Sequence, residues 1–213
     1  QSIRLSLLAG LPMAAGLALL AFPVNVLLFG DAKGSWLIVI LCLMTVFQIL
    51  MTTTAGIIQG LGRTNLPMIN IFIGVAFKLA GNFLLVRWFG ISGVAIATGL
   101  AFLVAMLLNF VSLRHLIGFR LRGKDVMPLF LSTFTMSLIA GGVVGAIWTG
   151  FAAQTRFGSL LLTIGGVAVG TIVYMLSIAK FNTLHESEIA RLPGPIRRVY
   201  RLLMPSRMKG NAS

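Results

Sequence analysis

Acidic residues are scarce in this sequence. Its 213 residues hold four Asp and Glu against 17 Lys and Arg, a formal net charge of +13. The four are Asp31, Asp125, Glu186 and Glu188, and none falls inside an apolar segment. That scarcity removes several chemistries. Magnesium-dependent enzymes acting on diphosphates need clustered carboxylate ligands. A proton- or sodium-coupled membrane site usually carries an intramembrane carboxylate. An ion-coupled site would need a carboxylate from outside these residues. Cysteine is nearly absent as well. Cys42 is the only one, which excludes an intramolecular disulfide and a cysteine-based zinc site. The histidines, His115 and His185, stand apart near the edges of apolar segments, with no nucleophile–base pair beside them. The sequence therefore points to no catalytic residue, no metal ligand and no cofactor.

What is abundant is hydrocarbon. Hydrophobic residues make up 58% of the chain and charged ones 10%, with a mean hydropathy of +1.00. A soluble domain needs far more polar surface. The composition predicts an all-α polytopic membrane protein. Its positive charges lie between apolar segments and in the tail, so the expected partner is anionic lipid headgroups and not nucleic acid. A transmembrane helix needs about 20 apolar residues. Six segments qualify: Leu5–Leu28, Trp36–Ile58, Leu66–Val86, Ile91–Leu113, Val126–Thr149 and Leu160–Ala179. The chain opens on Gln1, and its first apolar segment outruns a signal-peptide core. The expectation is the C-terminal part of a longer protein.

Basic residues set the expected orientation. Thirteen of them, from Arg4, Arg63 and Arg114 to Lys180 and the tail, fall on one side, against Lys33, Arg87 and Arg156 on the other. Both termini of the segment are thus expected in the cytoplasm. Trp36, Trp88 and Trp148 fall at the opposite ends of their spans, where indole rings favour the interface.

Within the spans, backbone breakers and small residues are ordered. Pro12 and Pro23 interrupt the first span and are expected to bend it; a discontinuous transport helix and a bent packing helix both remain open. Gly93, Ala97, Ala101, Ala105 and Asn109 recur every fourth residue on the fourth span, and Gly141–Gly145 and Gly166–Gly170 have GxxxG spacing. All three patterns read as packing devices. "QGLGRTN" at 59–65 lacks P-loop spacing and reads as a glycine-capped helix end with a turn towards Pro67.

The informative pattern is polar. Asn70, Gly74, Lys78 and Asn82 recur every four residues on the third span, and so share one side of it. A charge at mid-bilayer costs about 2.5–3.5 kcal/mol on insertion scales. It calls for a reason: a polar cavity that attracts an anionic group, snorkelling, or a carboxylate partner elsewhere. The second span carries Gln48, Thr52, Thr53, Gly56 and Gln59 at helical spacing. Two adjacent spans with polar stripes suggest a shared hydrophilic interior, and Arg63, at the tip of the turn between them, is placed to meet a lipid phosphate. The tail, from "GPIRRVYRLLMPSRMKG" onward, reads as an amphipathic helix on the inner leaflet.

Residues 56–110, "GIIQGLGRTNLPMINIFIGVAFKLAGNFLLVRWFGISGVAIATGLAFLVAMLLNF", resemble the C-terminal half of the polysaccharide-biosynthesis flippases of the multidrug/oligosaccharidyl-lipid/polysaccharide exporter superfamily, of the stage V sporulation protein B and lipid II flippase type. The resemblance is carried by Gln59-Gly60-Leu61-Gly62, Pro67, Gly74, Lys78, Asn82 and "FGISGVAIAT" at 89–98. Upstream, "GLPMAAGLALLAFPVNVLLFG" fits the preceding helix. Likeness extends over residues 1–115; beyond that it rests on hydropathy. The resemblance implies two helical bundles around a central cavity. This chain would supply the second (1–115), two further helices (116–181) and a basic cytoplasmic tail (182–213). The implied partners are the missing N-terminal bundle and a lipid-linked oligosaccharide. The implied activity is flipping of an undecaprenyl-pyrophosphate-linked glycan across the bacterial cytoplasmic membrane by alternating access. It assigns the cavity lining to Lys78, Asn82, Asn70, Gln48, Gln59 and Arg63. Three alternatives remain open: a drug or cation antiporter of the same superfamily, a membrane-embedded transferase, and a non-transporting scaffold. An antiporter would want an intramembrane acid and a cation that Lys78 repels; a transferase would want clustered acids on a cytoplasmic loop.

Overall fold

The structure, a computed structural model, describes residues 2–119, 123–150 and 156–180, and within them all side chains but those of 123–125, 148–150 and 179. These residues form seven α-helices: α1 Ser2–Leu19, α2 Ala21–Phe29, α3 Ser35–Gly60, α4 Asn65–Phe89, α5 Ile91–Ile117, α6 Gly123–Gly150 and α7 Arg156–Lys180. No strand occurs among the described residues. Six helices, all but α2, are long and apolar enough to cross a membrane. With 26 residues, α3 extends about 39 Å at 1.5 Å per residue, beyond the ~30 Å of a bilayer's hydrocarbon. The chain is an all-α, multi-pass membrane protein.

The first apolar segment is two consecutive helices. α1 runs through Pro12 without a break. The interruption comes at Leu20, three residues before Pro23, where the backbone relaxes to φ −89° and ψ 6°. Proline has no amide hydrogen, and its ring crowds the carbonyl of the preceding turn. The bonds from Leu20 N to Gly16 O (3.0 Å) and from Val24 N to Leu20 O (2.9 Å) carry the chain across. The helix ends follow residue chemistry. Past α3, Gly62 sits at φ 77°. Its amide donates to Gln59 O at 2.9 Å, and that of Arg63 to Ile58 O at 3.2 Å. This pair of bonds is a Schellman cap, which favours glycine at the left-handed position. Pro67 then falls in the first turn of α4, where the missing amide hydrogen leaves no helical bond unmade.

Packing follows a row: α4 lies on α5, α5 on α3, α3 on α1, α1 on α6 and α6 on α7, with α2 against α7 and α3. Small residues set the closest approaches. Gly93, Ala97, Ala101, Ala105 and Asn109 are all buried, as their four-residue spacing predicts. A Cβ at Gly74 would lie 2.7 Å from the Ala101 carbonyl oxygen, and one at Gly81 would lie 3.2 Å from Ala97 Cβ. On α7 both glycines of the GxxxG pair are used: Gly166 meets Leu20 and Val144, and Gly170 meets Met136. On α6 only Gly141 is, against Leu19, while a Cβ at Gly145 would meet no atom within 4 Å. Between these seams lie apolar clusters, such as Ile3, Leu7 and Leu11 with Leu129.

Candidate functional site

The polar stripe of α4 divides along its length. Pro67, Asn70 and Gly74 are buried, and Lys78, Gly81 and Asn82 are half-buried, whereas most of the rest of α4 is uncovered. The stripe therefore faces α5. At its first turn it becomes a polar network. Asn70 Nδ2 donates to Asn109 Oδ1 at 2.9 Å and lies 3.3 Å from Ser112 Oγ. Asn109 Nδ2 in turn donates to Met51 O of α3 at 3.2 Å. Three helices are tied at one point, and Asn109 is completely buried. The sequence placed Asn109 on a packing stripe but did not reveal its partner; its four-residue offset from Ala105 hid a polar contact inside a run of small residues.

Lys78 and Asn82 lie one and two turns beyond Gly74, on the edge of the α4–α5 seam. Asn82 Oδ1 is shielded from solvent and has no hydrogen-bond partner. No carboxylate lies inside a candidate span among the described residues, so neither group has an acid to pair with there.

Gln48, Thr52, Gly56 and Gln59 of α3 are uncovered, and Thr53 is half-buried. Thr52 satisfies its hydroxyl internally, on Gln48 O and Ile49 O, each at 3.0 Å. The buried face of α3, with Met51, Thr54, Ala55 and Ile58, points elsewhere. Two glutamines and a threonine thus form an open polar face more than two turns long. Arg63, at the tip of the α3–α4 turn, is exposed as well. The structure brings Asn70 to Asn109, and leaves Gln48, Gln59, Arg63 and Lys78 without a contact that joins them.

A groove of about 650 Å³ lies on another side of the molecule, between α1, α6 and α7. Its walls include Pro12, Leu17, Met136, Val144, Gly166 and Tyr174, and they are almost entirely apolar. None of the residues expected to line a cavity is among them. At the end of the bundle where α2 meets α3, Asn25 binds the loop carbonyls of Asp31 (3.1 Å) and Lys33 (2.7 Å), and Arg156 of α7 approaches Gly30. Lys33 and Arg156 thus share one end, as the count of basic residues requires. The tail 182–213, Arg120, Arg122 and the Trp148 side chain lie outside the described residues.

No protein-family model matches the chain, and no solved structure does. Three curated proteins do. The chain is 30% identical over 195 residues to the uncharacterized membrane protein YabM of Bacillus subtilis, covering 91% of this chain and 36% of that one. It is 24% identical over 208 residues to the lipid II flippase MurJ of the same organism, covering 93% and 38%. It is 25% identical over 194 residues to the probable low-salt glycan biosynthesis flippase Agl15 of Haloferax volcanii, covering 90% and 39%. Two of these three relatives are flippases by name, and the chain is similar to each over about nine-tenths of its own length. It spans less than two-fifths of the length of these relatives.

Proposed function

We propose that this chain is the C-terminal part of a flippase that carries an undecaprenyl-pyrophosphate-linked glycan across the bacterial cytoplasmic membrane by alternating access. The observation that carries the reading is the uncovered polar face of α3, Gln48, Thr52 and Gln59. Lipid tails cannot satisfy side-chain amides, so this face belongs against water or against polar protein. An opposing N-terminal bundle that encloses a hydrated vestibule meets that requirement. Lys78 and Asn82 would stand at the vestibule's margin, Asn70 behind them, and Arg63 at its cytoplasmic mouth. A cation with no intramembrane acid nearby suits an anionic headgroup and repels the cationic cargo of an antiporter. The apolar groove between α1, α6 and α7 has the chemistry of a hydrocarbon tail.

In this reading residues 1–115 complete the transport bundle and 116–181 add two flanking helices. Both termini of the segment face the cytoplasm, and the basic tail rests on anionic lipid. The test is transport of a lipid-linked glycan by the full-length protein in vesicles. Lys78→Ala is expected to lower the rate at unchanged expression, and Lys78→Arg to lower it less. Full activity in the alanine variant removes Lys78 from the mechanism.

A further inference from the structure

Pro12 leaves a gap in the hydrogen bonding of α1. It has no amide hydrogen, so the Leu8 carbonyl one turn earlier lacks its helical donor. Within hydrocarbon, such a carbonyl must be satisfied by protein or by water. A donor reaches it from a helix far along the chain: the Tyr174 hydroxyl of α7 donates to Leu8 O at 2.6 Å. Tyr174 is 7% exposed. Leu8, Pro12 and Tyr174 all line the apolar groove, whose other wall is α6. Apart from this bond α1 and α7 touch at few points, each being packed mainly on other helices. α1 leans on α3 and α6, and α7 on α6 and α2.

We propose that Tyr174 is a positioning residue, a latch that supplies the donor Pro12 withholds and thereby sets how far α1 bends away from α7. With the latch closed, the carbonyl is satisfied and the groove keeps its width. With the latch open, the Leu8 carbonyl needs water, α1 yields at Pro12, and the groove widens at its middle. A helix weakened at a proline and held straight by one distant hydroxyl gives a two-state element at little cost in packing. The inference does not depend on what the protein carries.

The test uses the full-length protein in lipid nanodiscs, with Cys42→Ala as background and spin labels at Met13→Cys and Ile172→Cys. Both positions are exposed. Tyr174→Phe keeps the ring and removes only the donor. It is expected to lengthen and broaden the α1–α7 distance distribution. It is also expected to speed amide exchange next to Pro12 by roughly tenfold, the size of effect that follows from unpairing a buried carbonyl. Pro12→Ala returns an amide to the Leu8 carbonyl, so in that background Tyr174→Phe is expected to change neither measurement. A tyrosine that only fills space predicts equal effects in both backgrounds, and that outcome overturns the latch. If Pro12→Ala does not fold, unchanged distance and exchange in Tyr174→Phe alone overturn it equally.

Discussion

Asn109 shows how one polar side chain can join three helices at seams otherwise held by apolar packing. In water, breaking a buried hydrogen bond and orphaning its partner costs about 1–3 kcal/mol. In a bilayer the unfolded helices also find polar partners, and measured couplings are smaller, about 0.6 kcal/mol on average with a ceiling near 1.7. The lower scale applies to a group inside a span. Asn109→Leu and Asn70→Leu are each expected to destabilise the protein, and the double variant by less than their sum. The shortfall, about 0.6–1.7 kcal/mol, is read from unfolding curves in detergent micelles. Strict additivity would mean that the 2.9 Å contact between them contributes nothing. The sequence announced the polar atoms and their four-residue spacing. It did not announce which of them meet, because pairing across helices depends on the rotation of each about its own axis.

At the scale of the element, helices were legible almost to their ends. Apolar length and glycine or proline punctuation mark out a span without tertiary knowledge, and Leu66–Val86 became Asn65–Phe89. The break at Leu20 was foreshadowed by Pro23. What periodicity could not convey was whether a stripe meets a neighbour or is left open. Gly74 and Gly56 make the contrast measurable. A Cβ at Gly74 would strike the Ala101 carbonyl, which is backbone and cannot swing aside, whereas one at Gly56 meets nothing within 4 Å. Gly74→Ala is expected to force α4 off α5 and cost about 1–3 kcal/mol. Gly56→Ala removes backbone freedom from the unfolded chain and is expected to stabilise by about 0.5–1 kcal/mol. Opposite shifts in melting temperature check the pair. Like signs would place the α4–α5 seam wrongly. The same reasoning explains why the α6 motif was only half used for close packing: Gly145 has the spacing, but a Cβ there would meet no atom within 4 Å.

For the whole molecule, the decisive quantity is which face of the membrane each turn occupies. The charge bias, thirteen basic residues against three, acts during insertion through the loops near span ends and is strong enough to fix orientation. The orientation it predicts has the α3–α4 turn and the start of α6 in the cytoplasm and the α2–α3 turn outside. Single cysteines in a Cys42→Ala background report this directly through a membrane-impermeant maleimide. Lys33→Cys is a better outer probe than Gly34→Cys, because Gly34 sits at φ 87°, where a side chain is strained. In intact cells carrying the full-length protein, Lys33→Cys is expected to label, while Arg63→Cys and Asp125→Cys label only after the membrane is opened. Lys33 and Arg63 are both uncovered, so a failure to label reports sidedness, not burial. External labelling at 63 or 125 would invert the molecule. Arg63 would then lie on the outer side, and its proposed role at a cytoplasmic mouth would fall.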